Sequence, residues 1–388
     1  MNLNAVTSPP EAVPRRRPAN PDLAAQLRAV RRVISDIAEQ RRVQSDESDG
    51  SATSSKIVAK PVVPPAGHRQ FFTDADFAIR KEWGDSLAGD SKTVVKEHLR
   101  RAQAIGSIRR VAVAPEPHVL DPISIDFPNF SEVTELIKRR LTLSRCAPER
   151  VFRLPPLLLA GPPGLGKTAY TTRLAQALGL PYQQIDMSSV HAAFTLTGLD
   201  IGYASGGPGL VWDALQHECI SAIMLLDELD KASGESKDGR LTFLYSLLEG
   251  HSARRYKDAA LGLSVDASYL NWIATCNELD RIPAPLRSRF EILHIERPTP
   301  AQRVAIVHSI HTELRRNAEW SAWFDADLDP AVVDKMNEWT PREIRRGLEE
   351  AYAVAAANQR RRLTTDDLLR RPGGDEEGST KSPIGFIG

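Results

Sequence analysis

Glycines at positions 161, 164 and 166, followed directly by Lys167 and Thr168, spell Gly-x-x-x-x-Gly-Lys-Thr. Each residue type has a physical reason to stand where it does. Without a Cβ, the glycines let the backbone adopt left-handed conformations and bring its N–H groups against an anion. A lysine at the seventh place delivers a point charge to β- and γ-phosphates, and the following threonine hydroxyl offers an oxygen to Mg²⁺, a cation that demands oxygen ligands. Gly161, Pro162, Pro163, Gly164, Leu165, Gly166, Lys167, Thr168 and Ala169 are therefore the expected nucleotide-contacting residues. A glycine turn ahead of an ordinary core helix would not require the whole eight-residue pattern.

A nucleotide that is to be hydrolysed needs its metal held and its attacking water polarised. About sixty residues on, the run Ile223-Met224-Leu225-Leu226-Asp227-Glu228 brings two acids to the end of an apolar strand pattern. Asp227 is expected in the Mg²⁺ shell together with Thr168, and Glu228 as general base on water. The adjacent pair favours hydrolysis over phosphoryl transfer to another acceptor, because a kinase must exclude water. A further apolar run ends at Asn277, whose amide can donate and accept hydrogen bonds at once, toward the γ-phosphate and the water. Arg287 and Arg289 follow. A guanidinium suits the spread charge of a phosphoryl transition state, and one supplied by a neighbouring subunit would make hydrolysis depend on assembly.

The elements that must position these residues are legible from the pattern. Residues 157–160 form a strand-length apolar run before the loop, and residues 170–177 a helical pattern after it. Residues 181–187, 222–226 and 269–275 read as further strands, two of them continuously apolar, as parallel strands covered on both faces are. Alternation of strand and helix over residues 157–295 predicts a doubly wound parallel α/β sheet. Pro298 ends it, and amphipathic helices over 301–315 and 341–361 predict a C-terminal helical lid.

Upstream, Ser131 is expected to cap a helix carrying Val133, Leu136, Ile137 and Leu141. Phe71, Phe72, Phe77, Ile79 and Trp83 form an aromatic-rich cluster in a mostly helical N-terminal extension. The division along the chain is a disordered tail over 1–20, a helix over 21–44 and a linker over 45–67. A helical extension and lead-in follow over 68–129, then the nucleotide-binding domain over 130–298, the lid over 299–371 and a disordered tail over 372–388. The helix at 21–44 has a 4-3-4-3 apolar spacing, which suits a short coiled coil or packing on its own domain equally.

Composition bounds the rest. Fifty basic residues balance fifty acidic ones, so net charge gives no argument for nucleic acid or an anionic membrane. Cys146, Cys219 and Cys276 are too scattered for a disulfide framework or a zinc site, which points to a reducing cytoplasm. No apolar run is long enough for a bilayer, and no signal-peptide core is seen near the N-terminus.

In sequence order these motifs resemble an AAA+ ATPase: Walker A over 161–168, Walker B over 223–228, sensor 1 at Asn277 and an arginine finger at Arg289, with Arg287 in reserve. Residues 272–291 are similar to the corresponding stretch of the Lon protease ATPase module. The sensor 2 region around Trp339-Thr340-Pro341-Arg342-Glu343-Ile344-Arg345 departs from Lon and looks more like the general AAA+ pattern. Arg342 is the expected phosphate reader and Arg345 the alternative. Gly198, Tyr203, Pro208 and Gly209 match the spacing of the Lon pore loop, in which an aromatic grips an extended polypeptide in a hexamer's channel.

The resemblance implies ATP and Mg²⁺ as cofactors, a homo-hexamer as the working form and a protein as substrate or adaptor. It also departs from Lon, since too few residues follow the lid for a peptidase. Three other readings stay open. They are a nucleic-acid-associated AAA+ ATPase of loader or mobile-element type, a nucleotide-dependent scaffold, and an unfoldase whose protease is another chain, docked through the apolar tip at Phe386.

Overall fold

In the computed structural model, residues 64–189, 193–203, 205–232, 241–368 and 371 are described. The expected helix at 21–44, both tails, most of the linker and the tip at Phe386 lie outside them. Strand β1 (His68–Gln70) opens the described chain, followed by helices α1 (Asp74–Ser86) and α2 (Gly89–Ile105) and by strand β2 (Ile108–Arg110), which returns antiparallel to β1. Thr73 caps α1 by accepting from the Asp76 N–H at 3.1 Å.

This segment is not separate from the nucleotide domain in its packing. Phe71, Phe72, Phe77, Val95 and Leu99 share one buried cluster with Trp212, Leu226 and Leu263. Arg109 of β2 sits fully buried over the Phe71 ring, its centroid 4.2 Å away, and donates to the carbonyls of Ala102 and Leu215. Burial pushes its pKa down to about 10. Ile79, expected in the aromatic cluster, is instead 62% exposed. It follows Phe77 by two residues, which on a helix points it roughly to the opposite face.

Helix α3 (Ser131–Arg145) starts from a short 3₁₀ turn, so Ser131 is its first helical residue and Phe130 occupies the cap position without a side-chain bond. The expected Ser131 cap is corrected accordingly. Val133, Leu136, Ile137 and Leu141 do form the buried face.

The central sheet holds five strands: β3 (Leu157–Ala160), β4 (Tyr182–Asp186), β5 (Ile223–Asp227), β8 (Asn271–Cys276) and β9 (Glu291–His294), in the order β4-β5-β8-β3-β9 and all parallel. Between β5 and β8 a two-stranded ribbon of β6 (Tyr256–Lys257) and β7 (Ser264–Val265) stands apart. Every residue of β3 and β8 is buried, because helices cover both faces of the sheet. Helix α4 (Lys167–Leu178) begins within one loop of β3, and helix α5 (Thr242–Leu248) precedes the ribbon.

The lid packs helices α6 (Pro300–Asn317), α7 (Pro330–Lys335) and α8 (Pro341–Ala357) around Val307, Leu314, Met336, Ile344 and Leu348. Reciprocal capping boxes, Thr299 with Gln302 and Thr340 with Glu343, fix the starts of α6 and α8. Gly347 in α8 lies under the Trp339 ring, which occupies the space a Cβ would need. Helix α8 stops at Ala357, short of the expected 361. Gln359 takes a positive φ of 54°, and Arg360 turns to bond Thr364 and the buried Asp367.

Candidate nucleotide site

The loop after β3 takes the form that the glycine spacing requires. Gly164 and Gly166 have φ of 82° and 93°, values that any Cβ disfavours. A Cβ at Gly161 would overlap the carbonyl oxygen of Ile295, just beyond β9. The loop closes onto the N-terminus of α4, so free backbone N–H groups and the positive end of the helix face the same space. Lys167 Nζ donates to the carbonyls of Gly161 at 2.6 Å and Pro162 at 2.9 Å and to Asn277 Oδ1 at 3.0 Å. Burial lowers the Lys167 pKa, opposed by the nearby acids Asp230, Asp227 and Glu228. The same burial pushes the adjacent Cys276 thiol up to about 12, so it stays protonated and unreactive.

The parallel register carries the acids to this point. Strand β5 pairs with β8 through Leu226 and Ala274, so Asp227 and Thr275 leave adjacent strands side by side. Thr168 Oγ1 donates to Asp227 at 3.0 Å, Thr275 Oγ1 lies 2.6 Å from Asp227 Oδ1, and Gln184 Nε2 of β4 donates to Oδ2 at 2.9 Å. Glu228 follows with φ 56° and ψ 48°, a left-handed conformation rare for a residue with a side chain. Its N–H donates to Thr275 Oγ1 at 2.9 Å, and its carboxylate pairs with Lys231 at 2.6 Å.

A cavity of about 480 Å³ opens between this loop and the lid, a size usual for small-molecule sites. Pro163 through Ala169, Asp227, Glu228, Asn277, Arg342 and Arg345 line it. Its apolar end is built by Ile125 and Phe127 from the lead-in and by Ile306 and Ile310 from α6. Arg342 stands in the first turn of α8, and its N–H reaches the Gly164 carbonyl at 3.4 Å. Arg345, one turn on, pairs with Glu313 of α6 at 2.5 Å.

Hydroxyl and carboxylate oxygens at Thr168 and Asp227, with open space beside them, fit a Mg²⁺ that takes its remaining ligands from phosphate and water. Among the described residues no cluster of three or more His, Cys, Asp or Glu forms a metal cage.

The remaining expected residues lie elsewhere. Arg289 does not line the cavity. Its guanidinium pairs with Glu249 at 2.5 Å, donates to the Pro285 carbonyl at 2.6 Å and sits 4.6 Å from the Tyr245 ring centroid. Arg287 pairs with Asp280 at 3.2 Å. Tyr203 is 66% exposed at the tip of a loop closed by the bridge between Leu199 and Gly207. The base of that loop is tied down by Asp258, which accepts from the Gly209 N–H at 2.8 Å. No helix among the described residues is long and apolar enough to cross a membrane.

Four residues at the site were not singled out from sequence: Thr275, Gln184, Lys231 and Phe127. Lys231 had a local signal, standing three residues after Glu228 in a helical turn. The others are joined to the site only by strand register or by the lead-in folding back.

Residues 157–297 match the family model described as "ATPase family associated with various cellular activities (AAA)". The chain is 25% identical over 335 residues to a Lon protease of Desulfovibrio desulfuricans, covering 84% of this chain and 36% of that protein. It is 34% identical over 173 residues to a Lon protease of Metamycoplasma arthritidis, covering 44% of this chain and 21% of that one. It thus spans about a third of the length of the first and less of the second. A solved structure of the Thermotoga maritima RuvB Holliday junction branch migration motor covers 61% of this chain and 67% of its own at TM-score 0.40 and 20% identity.

Proposed function

We propose, from the match of residues 157–297 to the AAA ATPase family model, that ATP hydrolysis by this chain drives a ring-shaped oligomer which remodels, unfolds or threads a protein. The observation that supports hydrolysis at the cavity is the convergence of Lys167, Thr168, Asp227, Glu228 and Asn277 from three adjacent strand ends. In this reading Lys167 exchanges its carbonyl partners for β- and γ-phosphate oxygens, and Thr168 with Asp227 holds the metal. Bound Mg²⁺ supplies charge neutralisation on the phosphates. Glu228 takes the proton from the attacking water once its carboxylate turns from Lys231, while Asn277 aligns that water. Arg342 follows the phosphates from the lid, with Arg345 the alternative, so that closing on nucleotide and sensing its cleavage use the same helix.

Arg289 is the proposed finger, acting at a neighbouring subunit's site, with Arg287 the alternative. Its place outside the lining of its own cavity supports a role between copies rather than within one. The exposed Tyr203 on a bridged loop supports the threading reading, since an aromatic offers a large apolar face with few rotors to freeze. A homo-hexamer in the cytoplasm, acting on a protein or adaptor, completes the proposal.

Three variants test it in parts. Lys167→Ala is expected to abolish nucleotide binding, and Glu228→Gln to bind ATP without turnover. Hydrolysis by Glu228→Gln at the normal rate would remove the assigned base. Tyr203→Ala should keep its melting temperature and lose substrate-dependent work, and unchanged work on a protein substrate would end the threading reading. Mass measurement with and without a slowly hydrolysed ATP analogue reports assembly directly.

A further inference from the structure

One buried hydroxyl touches both acids of the site. Thr275 is 1% exposed, at the penultimate position of β8. Its Oγ1 lies 2.6 Å from Asp227 Oδ1 and 2.9 Å from the Glu228 backbone nitrogen. The directions of these bonds follow from chemistry. A backbone N–H can only donate, so the hydroxyl accepts from Glu228, and its single proton is then directed to the carboxylate, which accepts. The donor and one of the two acceptor lone pairs of the hydroxyl are thereby used.

The other partners of Asp227 do less. Gln184 reaches only Oδ2 of the carboxylate, and Thr168 is expected to turn toward metal when nucleotide is bound. Thr275 is the group that links the carboxylate to the backbone of the next residue. That backbone needs a restraint, because Glu228 holds φ at 56°, where the Cβ of an L-residue crowds the following carbonyl. Strained conformations of this kind persist only where surrounding bonds over-determine them.

We propose that Thr275 is a positioning residue for ATP hydrolysis, its hydroxyl setting the Asp227 carboxylate and the left-handed Glu228 backbone in one geometry. The inference rests on the roles given above to Asp227 and Glu228. Without the hydroxyl, the Glu228 N–H loses its acceptor, the residue relaxes toward ordinary backbone angles, and base and metal ligand drift independently. Nucleotide affinity, set chiefly by the phosphate loop, is little altered.

The test uses the full chain with Thr275→Val, which keeps the branched shape and volume, Thr275→Ser, which keeps the hydroxyl, and Glu228→Gln as comparator. Steady-state turnover is measured against ATP and against Mg²⁺, alongside thermal melts. Thr275→Val is expected to lower kcat about 10- to 100-fold, the usual cost of removing a group that orients a ligand or base. Its KM for ATP should stay within about twofold and its half-saturating Mg²⁺ should rise. Thr275→Ser should recover most of kcat. If Glu228→Gln is inactive while Thr275→Val turns over within about threefold of wild type, the Thr275 inference fails alone. If Glu228→Gln is fully active, the parent assignment fails. A serine variant no better than valine also refutes it, since the hydroxyl would not be what matters. Should the valine variant not fold, Thr275→Ala replaces it under the same criteria.

Discussion

His311 lies 4% exposed in the middle of α6, its ring stacked on Tyr352 at 6.0 Å and 10°. Burial, with added repulsion from Arg315 and His308 against a weaker attraction to Asp327, pulls its pKa down to about 4 from the ordinary 6.5. The neutral ring is therefore the form the lid accepts. Between the two values the unfolded chain binds more protons than the folded one, so stability is lost as pH falls from 6.5 toward 4. Moving from pH 7 to pH 5 covers most of that window and costs about 2 kcal/mol, or about a 30-fold larger opening equilibrium for the lid.

Hydrogen exchange of the α6 and α8 amides at pH 7 and pH 5, corrected for intrinsic rate, reads this directly. His311→Leu should flatten the dependence, because no proton can then enter. The cavity-facing residues of α6, His308, Ser309 and Thr312, lie on the same helix, so looser packing there should weaken nucleotide binding in parallel. Equal corrected exchange at both pH values in the wild-type chain, or an unaltered dependence in His311→Leu, would refute the burial argument.

Asp258 should show the opposite sign near the base of the Tyr203 loop. Burial raises its pKa to about 6 against three backbone N–H donors that lower it, so its protonated form is favoured on folding and stability is lost as pH rises from about 4 through 6. Amides around 196–199 and 256–262 should thus exchange more slowly at pH 5 than at pH 7, by about 1 kcal/mol of protection. Gly347→Ala should destabilise the lid by about 1–3 kcal/mol, since the new methyl meets the Trp339 ring, as urea unfolding of the lid would show. Thr340→Ala removes the cap of α8 and should cost about 1 kcal/mol in the same assay.

What sequence disclosed was what lies close together along the chain. The loop over 161–169 is contiguous, and its glycines stand where positive φ or a close backbone approach leaves no alternative, so its shape could be read directly. The three-residue strands β1 and β2 could not. Each is too short for period-two alternation to register, and their pairing joins segments separated by two whole helices. The end of α8 was misplaced because residues 358–361 continue a helix-favouring composition. What stops the helix is a left-handed turn at Gln359, with the Gln359 and Arg360 N–H groups bonding back to the carbonyls of Ala356 and Ala355, at a place where the sequence has no glycine to announce it. Thr275 shows the same limit at the site. Its neighbour Asn277 was chosen for amide chemistry, whereas the threonine's importance depends on β8 lying beside β5 in one particular register.

The contact between Gly161 and Ile295 also constrains how the molecule can move. Ile295 donates its N–H to the Ala160 carbonyl at 2.7 Å while its own carbonyl fills the space above Gly161. Only Glu296 to Thr299 separate it from the first turn of α6. Gly161 and the end of the strand beside it are thus held as one piece. Along the chain, only these four residues are left to take up any change of angle between that piece and α6.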